Sequence, residues 1–264
     1  VLAVTLERCS GCALFIDDKI VFSSSEERYT KKKSDSLFPE NSIKHALEYC
    51  NVNPDELDHV LICGNKLSLI PSIMREYSTF TVDDQLRAMK EYWYPKLIEN
   101  KDISFVELFK NKINLEHYPF NTEWGRKFDY FSLENPYSID DEKKVSEFFI
   151  TTISSFLNIE KSKISHVEHD TCHASYALYG SPIRERNTLV VTADAWGDDL
   201  SATISIFDGE KIHRVKEYNH KDFQLARIYR YTTLVLRMLA NEHEYKVMGL
   251  APYYNSKKTI EVEE

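Results

Sequence analysis

The sequence has no apolar run approaching the roughly 18 residues that a membrane-spanning helix needs, and its first residues lack the charged, apolar and small-residue order of a signal peptide. The expected location is cytoplasmic, with no membrane partner. An excess of basic charge is missing too: 33 Lys and Arg stand against 42 Asp and Glu, a formal charge of -9, which leaves no general surface for nucleic acid. A small anionic substrate stays compatible, because a few local basic residues suffice. Cysteine is too sparse for a disulfide framework. The five are Cys9, Cys12, Cys50, Cys63 and Cys172, an odd and scattered set that suits reduced thiols. Cys9 and Cys12 have the spacing of a zinc or redox pair, but no second pair follows, so buried or loop thiols are expected.

What is present suits one or two globular domains, since 42% hydrophobic residues supply a core and 28% charged residues a surface. The apolar pattern opens with a strand over 1–6, a second from Cys12 to Ile16, a turn at Asp17-Asp18 and a third strand from Lys19 to Ser23, together a β-meander. Pro39 starts a helix with Ile43, Ala46, Leu47 and Cys50 at helical spacing, closed by Asn53-Pro54. His59 to Cys63 suits a buried strand. Residues 81–136, rich in aromatic and charged side chains, read as an insertion with helical stretches near 84–97 and 104–113. An amphipathic helix over 140–157 places Val145, Phe148, Phe149, Ile153 and Phe156 on one face. An extended segment over 164–169 and a short helix over 171–179 follow, the helix closed by Gly180 and Pro182.

The opening pattern then recurs: a strand over 189–192, a Gly197-Asp198-Asp199 loop, a strand over 202–207, the Asp208-Gly209 turn, a strand from Ile212 to Val215, and a helix around 225–239. A repeated strand, loop, strand, turn, strand and helix predicts two similarly built α/β lobes. The first occupies 1–187 with the insertion around 81–136. The second starts at 188, and by 264 its copy of the pattern is incomplete. Paired lobes of this kind are the layout of the actin and sugar-kinase superfamily, whose first turns face a ligand cleft and offer backbone amides to phosphate. Asp198 and Asp199 repel phosphate unless a metal intervenes, and they read as turn residues.

His169 and His173 lie four residues apart and share one face if their segment is helical, the geometry that clamps one metal ion, and Asp194 at a strand end can add a carboxylate. Such a shell suits iron, manganese or zinc, and ligand type alone does not choose between them. The competing reading makes both histidines helix-surface residues satisfied by water or backbone. Cys172 lies between them but points about 100° away on a helix, which excludes it as a ligand. Asp170 gives the segment a likeness to the His-Glu-x-x-His protease helix with a shorter acid, a reading in which the other motifs have no place. Arg28, Lys31, Lys32 and Lys33 form a basic cluster in an acidic chain, suited to a phosphate group. A solvated loop explains Lys31 and Lys32 equally well.

Four blocks, in order, carry a resemblance. They are Ser25-Glu26-Glu27-Arg28-Tyr29-Thr30 with Lys33, Asp35, Phe38 and Pro39; His169-x-x-x-His173-Ala174; Thr192-Ala193-Asp194; and Glu244-Tyr245-Lys246-Val247-Met248-Gly249-Leu250-Ala251-Pro252-Tyr253. Together they resemble the N-terminal part of the carbamoyltransferase family of the nodulation and antibiotic-tailoring type. Its members join a lobe pair like that of the universal tRNA-threonylcarbamoylation protein to a second domain of the YrdC type. The resemblance implies that His169, His173 and Asp194 bind iron or a similar divalent ion, zinc or manganese included, at the catalytic centre. It implies that Lys33, with Arg28, meets the donor phosphate, and that Glu244, Lys246 and Gly249 lie on the nucleotide side. The implied reaction is O-carbamoyl transfer from carbamoyl adenylate, derived from carbamoyl phosphate and ATP, to a hydroxyl of a sugar or small metabolite. Donor activation would belong to a YrdC-like domain or a companion chain. Family members carry a His-Asp pair in the first β-turn, where this sequence has Arg8 and Cys9. Two other readings stand beside this one: an ATP-dependent kinase-like protein of the same superfamily, which needs a carboxylate at that turn, and an inactive or partner-dependent shortened homologue.

Overall fold

The computed structural model describes residues 1–6, 9–36, 38–65, 80–112, 142–255 and 258. A mixed sheet of five strands comes first: β1 (Leu2–Thr5), β2 (Gly11–Ile16), β3 (Lys19–Ser25), β4 (Val60–Cys63) and β5 (Ile164–Val167), in the order β3-β2-β1-β4-β5. The first three form the antiparallel meander that the apolar pattern predicts, and β4 and β5 add parallel to β1. The carboxyl ends of β1, β4 and β5 therefore share one edge of the sheet.

Between β3 and β4 lie a single helical turn, α1 (Glu27–Thr30), and a longer helix, α2 (Glu40–Cys50). The buried Glu26 carboxylate accepts the N–H groups of Asn41 (3.1 Å) and Ser42 (2.8 Å), so two of the unsatisfied donors of the first turn of α2 are met by a residue fifteen positions away. After β4 the insertion contributes α3 (Val82–Ala88), a π-helical turn Met89–Trp93, α4 (Tyr94–Leu97) and α5 (Phe105–Phe109). Thr81 and Asp84 start α3 with a reciprocal capping box. Ala88, Tyr92, Phe105 and Phe109 bury one another in a small core of their own.

The helix α6 (Glu142–Leu157) returns the chain to the main sheet. Its Phe149, Ile153 and Leu157 meet Ile43, Ala46 and Leu47 of α2 over Leu2, Val4, Leu14, Val60, Ile62 and Ile164 of the strands, and this is the principal core. Phe148 and Phe156 pack at its margin, as the helical spacing predicts. The side chain of Val145 and the part of the predicted insertion over 113–136 lie outside the described residues.

Next, α7 (His169–Tyr179) leads to a second, three-stranded antiparallel sheet of β6 (Thr188–Gly197), β7 (Leu200–Phe207) and β8 (Ile212–Asn219). Ala174 and Leu178 of α7 bury against Val190 and Phe207 on one face of it. A 3-10 turn Leu225–Arg227, α8 (Ile228–Val235) and α9 (Glu244–Met248) follow. Among the described residues no helix is long and apolar enough to cross a membrane.

Several boundaries differ from the sequence reading; β3 runs on to Ser25, β7 starts at Leu200 and β8 runs on to Asn219, and three further differences are larger or touch the site. The helix expected over 171–179 begins at His169, because Glu168 caps it two residues earlier. The strand expected over 189–192 runs on to Gly197 through an irregularity between Ala193 and Gly197, so Asp194 sits in a bulged stretch of strand and not at a strand end. The helix expected over 225–239 is a 3-10 turn and the shorter α8, stopped where Arg237 takes a left-handed φ of 58°.

Candidate metal centre

The centre forms where α7 leaves the carboxyl edge of the first sheet and lies against β6. Glu168 sets the direction of the helix. Its carboxylate accepts the N–H groups of Asp170 (3.0 Å) and Thr171 (2.8 Å) and the Thr171 hydroxyl (2.6 Å), and Arg214 Nη2 on β8 reaches it at 2.5 Å. Burial opposes its charge, but the Thr171, Arg214 and backbone hydrogen bonds together outweigh burial and hold the carboxyl below the ordinary glutamate range. Asp170 fixes the register. It is fully buried and accepts the Thr192 hydroxyl at 2.7 Å, while Thr192 Oγ1 accepts the Thr203 N–H at 2.9 Å. Burial pushes the Asp170 carboxyl up, against the Thr192 bond that lowers it. Its role is thus to dock α7 on β6, which answers the protease-like reading of His169-Asp170-x-x-His173.

A second clamp comes from the turn between β6 and β7. The Asp198 carboxylate accepts the N–H of Asn65, just beyond β4, at 2.8 and 2.9 Å, and the N–H of His169 at 2.7 Å. One side chain thus ties both sheets to the start of α7. Asp198 and Asp199 both take positive φ, 50° and 71°, as residues of a tight turn do.

On this frame His169, His173 and Asp194 converge. His169 Nε2 is 2.8 Å from Asp194 Oδ2, His173 Nε2 is 3.0 Å from His169 Nε2, and His173 Nε2 is 3.6 Å from Asp194 Oδ2. Ligands each held at about 2.0–2.2 Å from one divalent ion stand roughly 3–3.5 Å apart, so these spacings fit one ion after small adjustments. Two imidazoles and a carboxylate are also the donor set that iron, zinc or manganese accepts. The Asp194 oxygens face His169, then His173, and the Ala195 N–H bonds Oδ1 at 2.6 Å, which together hold the carboxyl far below its usual range and keep it anionic. The same carboxylate raises His173, against burial and the neighbouring His169.

Gly197 makes room for the arrangement. A Cβ built there would lie 2.0–2.5 Å from Cδ2, Cγ and Nε2 of the His169 ring, a distance no side chain tolerates.

The other predicted site residues do not join this cluster through any contact seen among the described residues. Arg28 (3.2 Å) and Lys33 (3.4 Å) both turn to Glu27 Oε1, with their side chains 72% and 86% exposed to solvent. The Ser34 N–H, then Lys33, holds Glu27 below its ordinary range. Glu244 accepts the Asn241 N–H at 2.6 Å, Lys246 lies over the Tyr245 ring, and Gly249 has an ordinary helical φ of −64°, so no left-handed backbone calls for glycine there. Cys9 is exposed with φ 63°, and Arg8 lies outside the described residues. Cys172 turns its thiol to the Val167 carbonyl, away from the donor cluster. Gly197, Asp198 and Glu168 were not legible as site residues. Only the Gly-Asp-Asp turn hinted at them.

A family model described as carbamoyltransferase N-terminus matches residues 4–263, nearly the whole chain. The chain belongs to the carbamoyltransferase family. It is similar to an uncharacterized protein of Synechocystis sp., 23% identical over 249 residues, covering 94% of this chain and 33% of that protein. It is also similar to an uncharacterized protein of Methanocaldococcus jannaschii, 25% identical over 244 residues, covering 92% of this chain and 31% of that one. The chain thus spans about a third of the length of these curated relatives.

Proposed function

We propose that this chain supplies the transfer half of an O-carbamoyltransferase, built as paired lobes of the actin and sugar-kinase type and working in the cytoplasm. The observation that carries the reading is the convergence of His169, His173 and Asp194, in a chain of the carbamoyltransferase family, at the carboxyl edge of parallel strands. Ligands of α/β sheets bind at such edges. In the reaction the acceptor hydroxyl oxygen, on a sugar or small metabolite, bonds to the carbamoyl carbon of carbamoyl adenylate. The bond from that carbon to the phosphate oxygen breaks, AMP leaves with the electron pair, and the hydroxyl proton is released to solvent.

His169, His173 and Asp194 would hold the divalent ion, iron in the first instance. Bound there, the ion supplies Lewis acidity toward the carbamoyl carbonyl or the acceptor hydroxyl. Asp194 contributes a fixed negative charge, because its carboxyl stays ionised across the working range. Lys33 and Arg28, exposed and only loosely held by Glu27, are free to turn to the donor phosphate as charge-assisted partners. Glu244, Lys246 and Gly249 lie on an exposed segment that a nucleotide can approach. Synthesis of the adenylate from carbamoyl phosphate and ATP falls to a YrdC-like domain or companion chain.

The test is elemental analysis of the chain with AMP release from carbamoyl adenylate, water serving as acceptor. One equivalent of divalent metal and metal-dependent release are expected, both lost in His169→Ala and His173→Ala. Undiminished metal in both variants removes the site from the reading.

A further inference from the structure

Two thiols that the metal chemistry does not use meet where the first sheet hands the chain to α7. Cys63 ends β4, on the strand face opposite the core residues Val60 and Ile62, and pairs in register with Val167 of β5. Cys172, about one turn into α7, comes back to the same residue, its Sγ 3.8 Å from the Val167 carbonyl oxygen. The two side chains are hydrogen-bond partners, although they are far apart in sequence. Both thiols are free and only partly buried, so a reagent can reach them from solvent, whereas Cys12 is buried. Contact with Cys172 also draws the Cys63 thiol below its ordinary range, against burial, as suits an attacking sulfur. Packing alone explains a single half-buried cysteine. It gives no reason for two of them, on facing elements, to meet at one carbonyl.

We propose that Cys63 and Cys172 form a redox-active pair that reacts with small-molecule disulfides and closes reversibly into a disulfide joining β4 to α7. The Cys63 thiolate attacks one sulfur of the reagent, a mixed disulfide forms, and one thiol leaves. The Cys172 sulfur then attacks Cys63, and the second thiol leaves. The pair gives up two electrons, the reagent is reduced, and the two protein thiol protons end on the released thiols. Resting on the reading that His169, His173 and Asp194 hold a metal ion, closure also loosens that cluster. A disulfide sets its sulfurs about 2.05 Å apart, so Cys172 is drawn toward β4. His173, the next residue, moves with it, away from Asp194 on β6.

The experiment exposes the metal-free chain to oxidised glutathione, blocks the remaining thiols with N-ethylmaleimide and maps the digest without reduction. A Cys63 peptide joined to a Cys172 peptide is expected, two hydrogens lighter than the free pair and separated again by dithiothreitol. In guanidinium chloride, where chain statistics alone bring thiols together, that pairing should lose its preference. Cys172→Ser should abolish the link and trap the mixed disulfide on Cys63. Cobalt(II) should bind the oxidised chain about tenfold more weakly than the reduced one, as it does when a supporting contact at a metal site is lost. Thiols that carry only maleimide, glutathione adducts with no link between Cys63 and Cys172, or links to Cys9, Cys12 or Cys50 formed as readily overturn the proposal. A linked chain with unchanged cobalt affinity overturns the effect on the cluster and leaves the pair. A chain that forms the link yet binds cobalt in neither state defeats the metal reading alone.

Discussion

Gly197 shows at the residue scale why the donor cluster has its shape, since the His169 ring occupies the space where any other residue would carry its Cβ. Gly197→Ala should displace the ring and weaken metal binding by about 10–100-fold, as loss of a supporting contact does at metal sites generally. Thermal unfolding of that variant should change little, and unchanged metal affinity would contradict the geometry. Glu168 offers a test through pH. Its carboxyl is held below the ordinary value of 4.5, so its contribution to stability is present above that value and lost as pH falls through the lower folded value. Glu168→Gln should cost roughly 1–2 kcal/mol at neutral pH, the worth of a charged helix cap, and the melting curves of the two proteins should converge in acid. A gap that persists at low pH would assign the loss to packing instead. The histidine pair was legible because its spacing matches the helical repeat, and Asp194 because a carboxylate closes a strand-borne motif. Gly197 was not, because its partner lies on another element and no local spacing records the encounter, and the same holds for the bond from Arg214 on β8 to Glu168.

Among the elements, those with a strong period were readable. The alternation in β1 and β4 and the apolar stripe of α6 name their own buried faces, and Phe149 and Ile153 lie in the core as that stripe requires. Phe149→Ala should accordingly destabilise the chain by about 3–5 kcal/mol in chemical denaturation, the range for an emptied aromatic core position. The bulge in β6 and the early stop of α8 were not readable, because each depends on what the backbone meets in three dimensions. The loop after α1 is a further case. Its basic cluster suggests a phosphate site, and in the structure Lys33 has a weak surface partner in Glu27 at 3.4 Å. Lys33→Ala should therefore shift stability by less than about 0.5 kcal/mol, since exposed ion pairs contribute little. Any rise in the Michaelis constant for carbamoyl adenylate then belongs to donor contact and not to folding, and an unchanged constant assigns Lys33 to the solvated loop.

Seen whole, the molecule buries alternate residues of the central strands β1 and β4 of its first sheet, while apolar residues of its second sheet bury against α7 on one face. Leu189 and Val191 on β6 and Val215 on β8 remain 62%, 56% and 61% exposed, a concentration of apolar surface that favours association. The expectation is self-association on size exclusion, and a monodisperse monomer would overturn it. The central claim, that two elements from different sheets meet to bind one metal ion, is tested most directly by titrating the metal-free chain with cobalt(II) and following its visible absorption. The account predicts bands that saturate at one equivalent and disappear in His169→Ala, His173→Ala and Asp194→Asn. A spectrum that never saturates, or that survives unchanged in all three variants, would contradict it.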